Sequence, residues 1–240
     1  MLGSVRQLLS GGSILVVMPH PDDETFACGG TIVRARDQGA EVYVMIISVG
    51  DLHHCRGGQQ EVSAETRLAE LEAAMGCLGV TDYTVVYRDS EKHMRLDALP
   101  RRELVAQIER ESELAIDRVR PRVVILPVAS YNQDHEAVFS AGFAACRPHL
   151  CSDKAFVPVV LSADAPQLAW RAGPLQFSVY VDISGSYLKR KLEAHACHRS
   201  QVRPEPHHAS LENLERLARL RGSEVAVEAA EAFVCHRLLV

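Results

Sequence analysis

Short runs of consecutive apolar residues alternate along the chain with longer segments in which apolar residues recur every three or four positions. The short runs predict buried β-strands, and the periodic segments predict amphipathic helices. The predicted strands cover residues 13–18, 41–48, 83–87, 122–127, 157–162 and 177–183. The predicted helices cover residues 29–38, 61–79, 97–118, 135–146, 185–198 and 208–221, and we also expect residues 238–240 to add an edge strand.

Strands that are apolar along their whole length are typical of a parallel sheet covered by helices on both faces. The sequence therefore predicts an α/β fold with a Rossmann-like, mostly parallel sheet. We expect residues 1–240 to form a single domain, because a chain of 240 residues can bury a substantial core and contains no internal repeat or low-complexity linker.

Polar residues cluster in the segments that directly follow four of the predicted strands. These segments are 19–24 (PHPDDE), 49–54 (VGDLHH), 88–93 (RDSEKH) and 128–135 (VASYNQDH). In open α/β sheets, ligands bind beyond the carboxyl ends of the strands, which share one edge. The four segments therefore predict one site at that edge.

Charge and hydropathy narrow the class of protein. The net charge of -5 and the scattered basic residues argue against a nucleic-acid partner. Apolar runs stay well below the roughly 20 residues that cross a bilayer, and residues 1–12 are too polar for a secretory signal. We therefore expect a cytoplasmic protein without a membrane partner. The seven cysteines are irregularly spaced and include no C-x-x-C pair, so we expect them to be reduced.

Segment 19–24 has the composition of half a metal site. His20 and Asp23 lie three residues apart on a tight loop, a spacing that lets both bind one ion. A catalytic zinc commonly takes three His, Asp or Glu ligands and leaves one position for water. His135 is the best candidate for the third ligand, because it follows another strand and opens a helix. Asp22 then stays free to accept a proton from a water molecule at the open position.

The alternative interpretation of segment 19–24 is structural. One aspartate would cap the following helix and His20 would pack in the core. A helix cap needs a single acid, whereas this segment supplies three acids and a histidine. We therefore favour the metal site.

Several segments, taken in order along the chain, resemble one known family. Segment 19–32 (PHPDDETFACGGTI) resembles the HPDDE signature of the LmbE-like/PIG-L deacetylases, which are zinc-dependent enzymes that remove N-acetyl groups from amino sugars. The similar segments that follow are 66–80 (TRLAELEAAMGCLGV), 120–127 (RPRVVILP), 131–138 (YNQDHEAV), 191–202 (KLEAHACHRSQV) and 230–237 (AEAFVCHR). The resemblance thus spans nearly the whole chain and implies the same α/β fold.

The resemblance also implies roles for individual residues. His20, Asp23 and His135 would bind zinc and Asp22 would be the general base, in agreement with the interpretation of their spacing. Asp134 would orient a histidine, either His135 or a neighbour, through its second ring nitrogen.

Asn132 stands where many members of the family have a histidine. An asparagine amide can donate a hydrogen bond to an oxyanion, and we expect Asn132 to have this role. It cannot transfer a proton, so the proton for the leaving amine must come from Asp22 or from another histidine.

Four further residues are candidates for substrate contact. The resemblance implies Arg67, whose guanidinium binds hydroxyls or phosphate, and Asp51, which can bind sugar hydroxyls. His53 and His198 are candidates because they lie near the same loops or precede a family motif. The structural alternatives are a solvated helix charge at Arg67, a turn at Asp51 and an exposed histidine at position 53.

Two nucleotide or hydrolase motifs are absent from the sequence. Segment 28–32 (CGGTI) lacks the G-x-G-x-x-G spacing of a dinucleotide site, so we expect Gly29 and Gly30 to allow close backbone packing. The chain has no G-x-S-x-G nucleophile elbow.

The sequence predicts a zinc hydrolase that removes an N-acetyl group from a small amino-sugar substrate, free or within a larger metabolite or glycoconjugate. Iron also suits a ligand set of two histidines and one aspartate. Two alternatives stay open: an enzyme that hydrolyses a non-sugar N-acyl or N-carbamoyl amide, and a non-catalytic sugar-binding protein, which Asn132 would favour. The oligomeric state also stays open, and a homo-oligomer is one option.

Overall fold

The computed structural model describes residues 9, 11–56, 58–165 and 176–239, and only the backbone of the strand residues between 53 and 60. The strands are β1 (Ser13–Met18), β2 (Glu41–Val49), β3 (Leu52–Arg56), β4 (Gly58–Val62), β5 (Asp82–Arg88), β6 (Val123–Pro127), β7 (Val159–Ala163), β8 (Val179–Asp182) and β9 (Ala230–Leu238). The helices are α1 (Asp23–Asp37), α2 (Ala64–Leu78), α3 (Arg101–Ala106), α4 (Ile116–Val119), α5 (Gln133–Ala145), α6 (Ser186–Cys197) and α7 (Leu211–Ser223).

In the described residues, seven strands form one sheet in the order β5-β2-β1-β6-β7-β9-β8. The first five are parallel to one another, and β9 runs antiparallel to both of its neighbours. This architecture confirms the predicted mostly parallel α/β fold. Since β1 is the middle one of the five parallel strands, the loop that follows it lies near the middle of their shared carboxyl edge.

The two faces of β1 show why its apolar run is continuous. Ile14, Val16 and Met18 join one apolar cluster, which includes residues of α1, α2 and α6. Leu15 and Val17 join a second cluster, which includes residues of α3 and α5. Alternate side chains of a strand point to opposite faces, so a strand buried on both faces must be apolar at every position.

Several predicted helix bounds were wrong. Helix α1 begins at Asp23 rather than at residue 29. Helix α2 begins at Ala64 rather than at residue 61, because residues 58–62 pair with residues 52–56 in an antiparallel hairpin that the pattern of apolar residues did not indicate. The single helix predicted over 97–118 is divided, since Pro100 and the extended backbone of Ser112 interrupt it.

The predicted edge strand at 238–240 was also wrong. Strand β9 begins at Ala230 and lies inside the sheet, between β7 and β8. The charged Glu231 interrupts the apolar run that would have indicated an interior strand, although its side chain is 4% exposed. None of the helices that the structure describes combines the length and the apolar character needed to cross a bilayer.

Candidate metal centre

Three buried side chains converge beyond the carboxyl ends of β1 and β6. His20 follows β1, Asp23 opens α1, and His135 lies in the first turn of α5. One ligand atom from each lies within 4.8 Å of the other two. His135 Nε2 is 3.3 Å from Asp23 Oδ1, and His20 Nδ1 is 3.5 Å from Asp23 Oδ2. The two sequence segments that were predicted to share a site therefore meet.

Asp134 settles which nitrogen of His20 is available to an ion. His20 Nε2 lies 2.8 Å from Asp134 Oδ2, and Asp134 Oδ1 accepts a hydrogen bond from the Leu96 backbone N–H at 2.9 Å. A carboxylate in this position accepts a hydrogen bond from Nε2–H. The lone pair of Nδ1 is then left on the side of the ring that faces Asp23. Metal-binding histidines are commonly oriented by such a carboxylate. Of the two possibilities left open by the sequence, the structure shows that Asp134 orients His20.

The electrostatics of the cluster favour a cation. Burial works against a charged His20, but the carboxylates of Asp134 and Asp23 outweigh it and raise the pKa of His20 to about 9. Burial likewise opposes the ionised form of Asp23, but His135 and His20 hold its pKa well below the usual range. The residues therefore fit a divalent cation, whose charge would take the place of the second His20 proton.

Asp22 has an unusual backbone conformation. Its φ of 107° lies in a region of backbone conformation that residues other than glycine rarely adopt. Its backbone N–H donates to Glu24 Oε2 at 3.0 Å, and its carbonyl accepts from Thr25 Oγ1 at 2.7 Å. The Asp22 side chain makes no capping bond to α1. The capping interpretation of this aspartate was therefore wrong.

The Asp22 carboxyl is placed to exchange a proton near neutral pH. Burial, followed by the negative charge of Asp23, raises the pKa of Asp22 to about 7, although His198 and Arg67 act in the opposite direction. A bound cation would lower this pKa again, because it favours the carboxylate form.

Arg67 holds the loop that carries His20 and Asp22. It projects from α2 and is 3% exposed, so the interpretation as a solvated helix charge was wrong. Its Nη2 donates to the Pro21 carbonyl at 3.2 Å, and its Nη1 donates to His93 Nε2 at 2.6 Å. Its contact with a substrate stays a prediction.

His93 was not identified from the sequence. Because Arg67 only donates, His93 Nε2 must accept, so Nδ1 carries the hydrogen and donates to Ser48 Oγ at 3.1 Å. Burial, with the nearby positive charges of His20 and Arg67, lowers the pKa of His93 to about 3, and the ring is neutral. Two features of the sequence pointed to His93: it ends segment 88–93, which was predicted to share the site, and Gly50 leaves room for it, since a Cβ there would lie 2.6 Å from His93 Cβ.

Asn132 is the N-cap of α5. Its side-chain oxygen accepts a hydrogen bond from the Asp134 backbone N–H at 2.9 Å, with an extended backbone at Asn132. Asparagine is among the preferred residues at this position. The proposed bond from its amide to an oxyanion stays a prediction.

The other predicted substrate residues have different surroundings. Asp51 is exposed and joins two loops, since Oδ1 accepts from the Ala64 N–H at 2.8 Å and Oδ2 from Ser90 Oγ at 3.2 Å. The side chain of His53 lies outside the described residues. His198 is 1% exposed, and its Nε2 lies 2.8 Å from Glu24 Oε1. The structure therefore places His198 behind the metal loop, where it holds Glu24.

The chain belongs to the PIG-L family, described as GlcNAc-PI de-N-acetylase, whose family model matches residues 15–146. A 1D-myo-inositol 2-acetamido-2-deoxy-alpha-D-glucopyranoside deacetylase 2 from Catenulispora acidiphila is 35% identical over 91 residues, which are 32% of this chain and 30% of that protein. The matches to eight curated relatives cover between 26% and 56% of the relatives' own length.

Solved structures show that the fold is shared. The N,N'-diacetylchitobiose deacetylase from Pyrococcus horikoshii has a TM-score of 0.69 at 20% identity, over 98% of this chain and 92% of that one. The 4-carboxy-2-hydroxymuconate hydratase GalB from Pseudomonas putida KT2440 has a TM-score of 0.65 at 21% identity, over 95% of this chain and 98% of that one. Since this fold carries more than one activity, the function must be argued from the site.

Proposed function

We propose that the protein is a metal-dependent hydrolase that removes the N-acetyl group of a small amino-sugar substrate. The observation that carries the proposal is the buried cluster of His20, Asp23 and His135, with Asp134 orienting His20 and Asp22 adjacent. The family and the named activities of the Catenulispora and Pyrococcus proteins support the substrate class.

Zn²⁺ is the proposed ion, and Fe²⁺ suits the same ligands. His20 would bind through Nδ1, Asp23 through a carboxylate oxygen, and His135 through a ring nitrogen. When bound, such an ion polarises the acetyl carbonyl and lowers the pKa of a water molecule towards about 7.

The side chains of the protein move the protons. Asp22 accepts one proton from the attacking water and returns it to the amine as the C–N bond breaks. Water and the amide are thus converted to acetate and a free amine, with no net change at Asp22. Asn132 would donate a hydrogen bond to the developing oxyanion, a contribution typical of such donors.

Acetate release tests the proposal directly. The purified protein would be depleted of metal with a chelator, reloaded with Zn²⁺ or Fe²⁺, and incubated with 1D-myo-inositol 2-acetamido-2-deoxy-α-D-glucopyranoside or N,N'-diacetylchitobiose. We expect metal-dependent production of acetate and free amine in equal amounts. Turnover of only non-sugar N-acyl or N-carbamoyl amines would favour the alternative enzyme, and sugar binding without turnover would favour the non-catalytic protein.

We also propose that residues 1–240 act as one domain and that the protein works in the cytoplasm. The lack in this sequence of a run of about 20 apolar residues supports this location. Size-exclusion chromatography with light scattering would measure the oligomeric state, for which a homo-oligomer stays a prediction.

A further inference from the structure

Helix α1 is bent immediately after the turn that carries Asp23. The backbone of Cys28, with φ of -148° and ψ of 24°, is not helical. In a straight helix, the Gly30 N–H would donate to the Phe26 carbonyl. Both groups have partners from distant parts of the chain.

A buried ion pair is inserted at this bend. Glu231 of β9 accepts the Gly30 N–H at 2.9 Å through Oε1 and the Thr31 N–H at 2.7 Å through Oε2. Lys191 of α6 donates from Nζ to the Phe26 carbonyl at 2.8 Å and also contacts Glu231 Oε1. The two charged residues thus bind backbone groups on either side of the bend.

The glycine pair makes room for this arrangement. A Cβ on Gly30 would lie 2.8 Å from Ile183 Cγ2, and a Cβ on Gly29 would lie 3.3 Å from Lys191 Cγ. The expectation that these glycines allow close packing is confirmed, and their neighbours include the inserted lysine.

Lys191 belongs to a row of polar residues on α6. Lys191, His195 and His198, which we name the α6 stripe, are spaced four and three residues apart and therefore lie on one side of the helix and its end. All three are at most 2% exposed. This segment resembled a family motif, and its residues have no part in the chemistry proposed above.

The α6 stripe contacts three consecutive residues of α1. Lys191 binds the Phe26 carbonyl, His195 Nδ1 lies 2.8 Å from Thr25 Oγ1, and His198 Nε2 lies 2.8 Å from Glu24 Oε1. The next residue towards the start of the helix is Asp23. Thr25 and Glu24 in turn bind the carbonyl and the N–H of Asp22.

We propose that the α6 stripe and Glu231 are positioning residues, which fix the first turn of α1 so that Asp22 and Asp23 face the metal centre. The inference rests on the proposed function, because it assigns those aspartates to the metal and to the reacting water. The stripe acts through Glu24, Thr25 and the Phe26 carbonyl. Since the side chain of Asp22 does not cap α1, contacts from outside the helix add to the local bonds that orient this turn.

The His195 contact offers the mildest test. Thr25 Oγ1 donates to the Asp22 carbonyl, so it accepts from His195 Nδ1–H. His195→Asn keeps an N–H near the position of Nδ1, whereas His195→Leu removes it. Lys191→Met and Glu231→Gln remove the inserted pair. The matched control is Lys189→Met on the same helix, because Lys189 is exposed and pairs only with Glu193 among the described residues.

The readouts are Zn²⁺ affinity by chelator competition, the visible spectrum of the Co²⁺ form, and kcat and KM for whichever of the two amino sugars is turned over. We expect Lys191→Met, Glu231→Gln and His195→Leu to bind Zn²⁺ about tenfold more weakly and to lose about 10- to 100-fold in kcat. KM should change little, and the Co²⁺ spectrum should shift. His195→Asn should largely restore all three properties, and Lys189→Met should match the wild type.

Wild-type metal affinity, Co²⁺ spectrum and kcat in folded His195→Leu and Lys191→Met proteins would overturn the inference. If circular dichroism shows that Lys191→Met does not fold, the His195→Leu and His195→Asn pair decides alone. Equal loss in both His195 variants would also overturn it, since the retained N–H would then have no effect. A wild-type protein that binds no metal would instead contradict the proposed function.

Discussion

The two helices that supply the metal centre begin in opposite ways. Helix α5 has a local cap, in which Asn132 binds the N–H of a residue two positions later. Helix α1 begins after Asp22, whose backbone is strained and whose side chain caps nothing. Residues distant in sequence hold this region: Arg67 binds the loop before α1, the α6 stripe binds the first turn, and Glu231 binds the turn after the bend.

The difference follows from the number of tasks that each loop performs. At the start of α5, Asn132 caps the helix. The side chain of Asp134 can therefore orient His20, and that of His135 can bind the metal. Before α1, both aspartates are used by the site, and the side chain of the N-cap residue Asp22 makes no capping bond. A short loop with two chemical tasks thus needs support from other elements, and this support fixes a strained backbone.

Removing one ligand from each helix start should have the largest effect. We expect His20→Ala and His135→Ala to lose their bound metal, because two remaining ligands hold an ion poorly. Metal content per protein after dialysis would be measured by mass spectrometry, with the exposed His208→Ala as the control. Full metal content in both variants would exclude the proposed centre.

Asp22→Asn separates proton transfer from metal binding. The amide cannot accept a proton from water, so we expect kcat to fall by about 10²- to 10⁴-fold while zinc content stays at the wild-type level. Steady-state kinetics on the zinc-loaded protein would measure this change. Unchanged turnover would remove Asp22 as the base.

Arg67→Met tests the distant support of the α1 start. The change deprives the Pro21 carbonyl and His93 Nε2 of their donor, so the free energy of unfolding should fall by about 1–3 kcal/mol. Urea unfolding would measure the loss. If KM rises while stability stays unchanged, Arg67 contacts substrate and does not support the loop.

Asn132→Ala tests the local cap and should have the smallest effect on stability, a loss of about 1 kcal/mol. Asn132→Asp is the matched control, because its carboxylate still accepts the Asp134 N–H. Stability equal to wild type in Asn132→Ala would contradict a capping role. A lower kcat in Asn132→Asp at unchanged stability would support the oxyanion role, since a carboxylate cannot donate.

The parts of the site that were predictable depend on short segments and on one rule of topology. His20 and Asp23 lie in the same loop, and His135 follows a strand that shares the carboxyl edge. The roles of His93, Lys191 and Glu231 depend on contacts between elements far apart in sequence, which spacing does not indicate. The spacing of Lys191, His195 and His198 was a usable signal, but it has meaning only once α6 is known to face α1.

The inner position of β9 links the metal loop to the order in which the chain is synthesised. A growing chain that has not reached residue 230 already contains segment 19–24 but lacks Glu231. It also lacks the strand that joins β7 to β8, so the facing edges of both are unpaired and open to other chains. The metal loop is therefore completed by a strand that is synthesised much later, and until then the ribosome carries a chain with ligands but without this support.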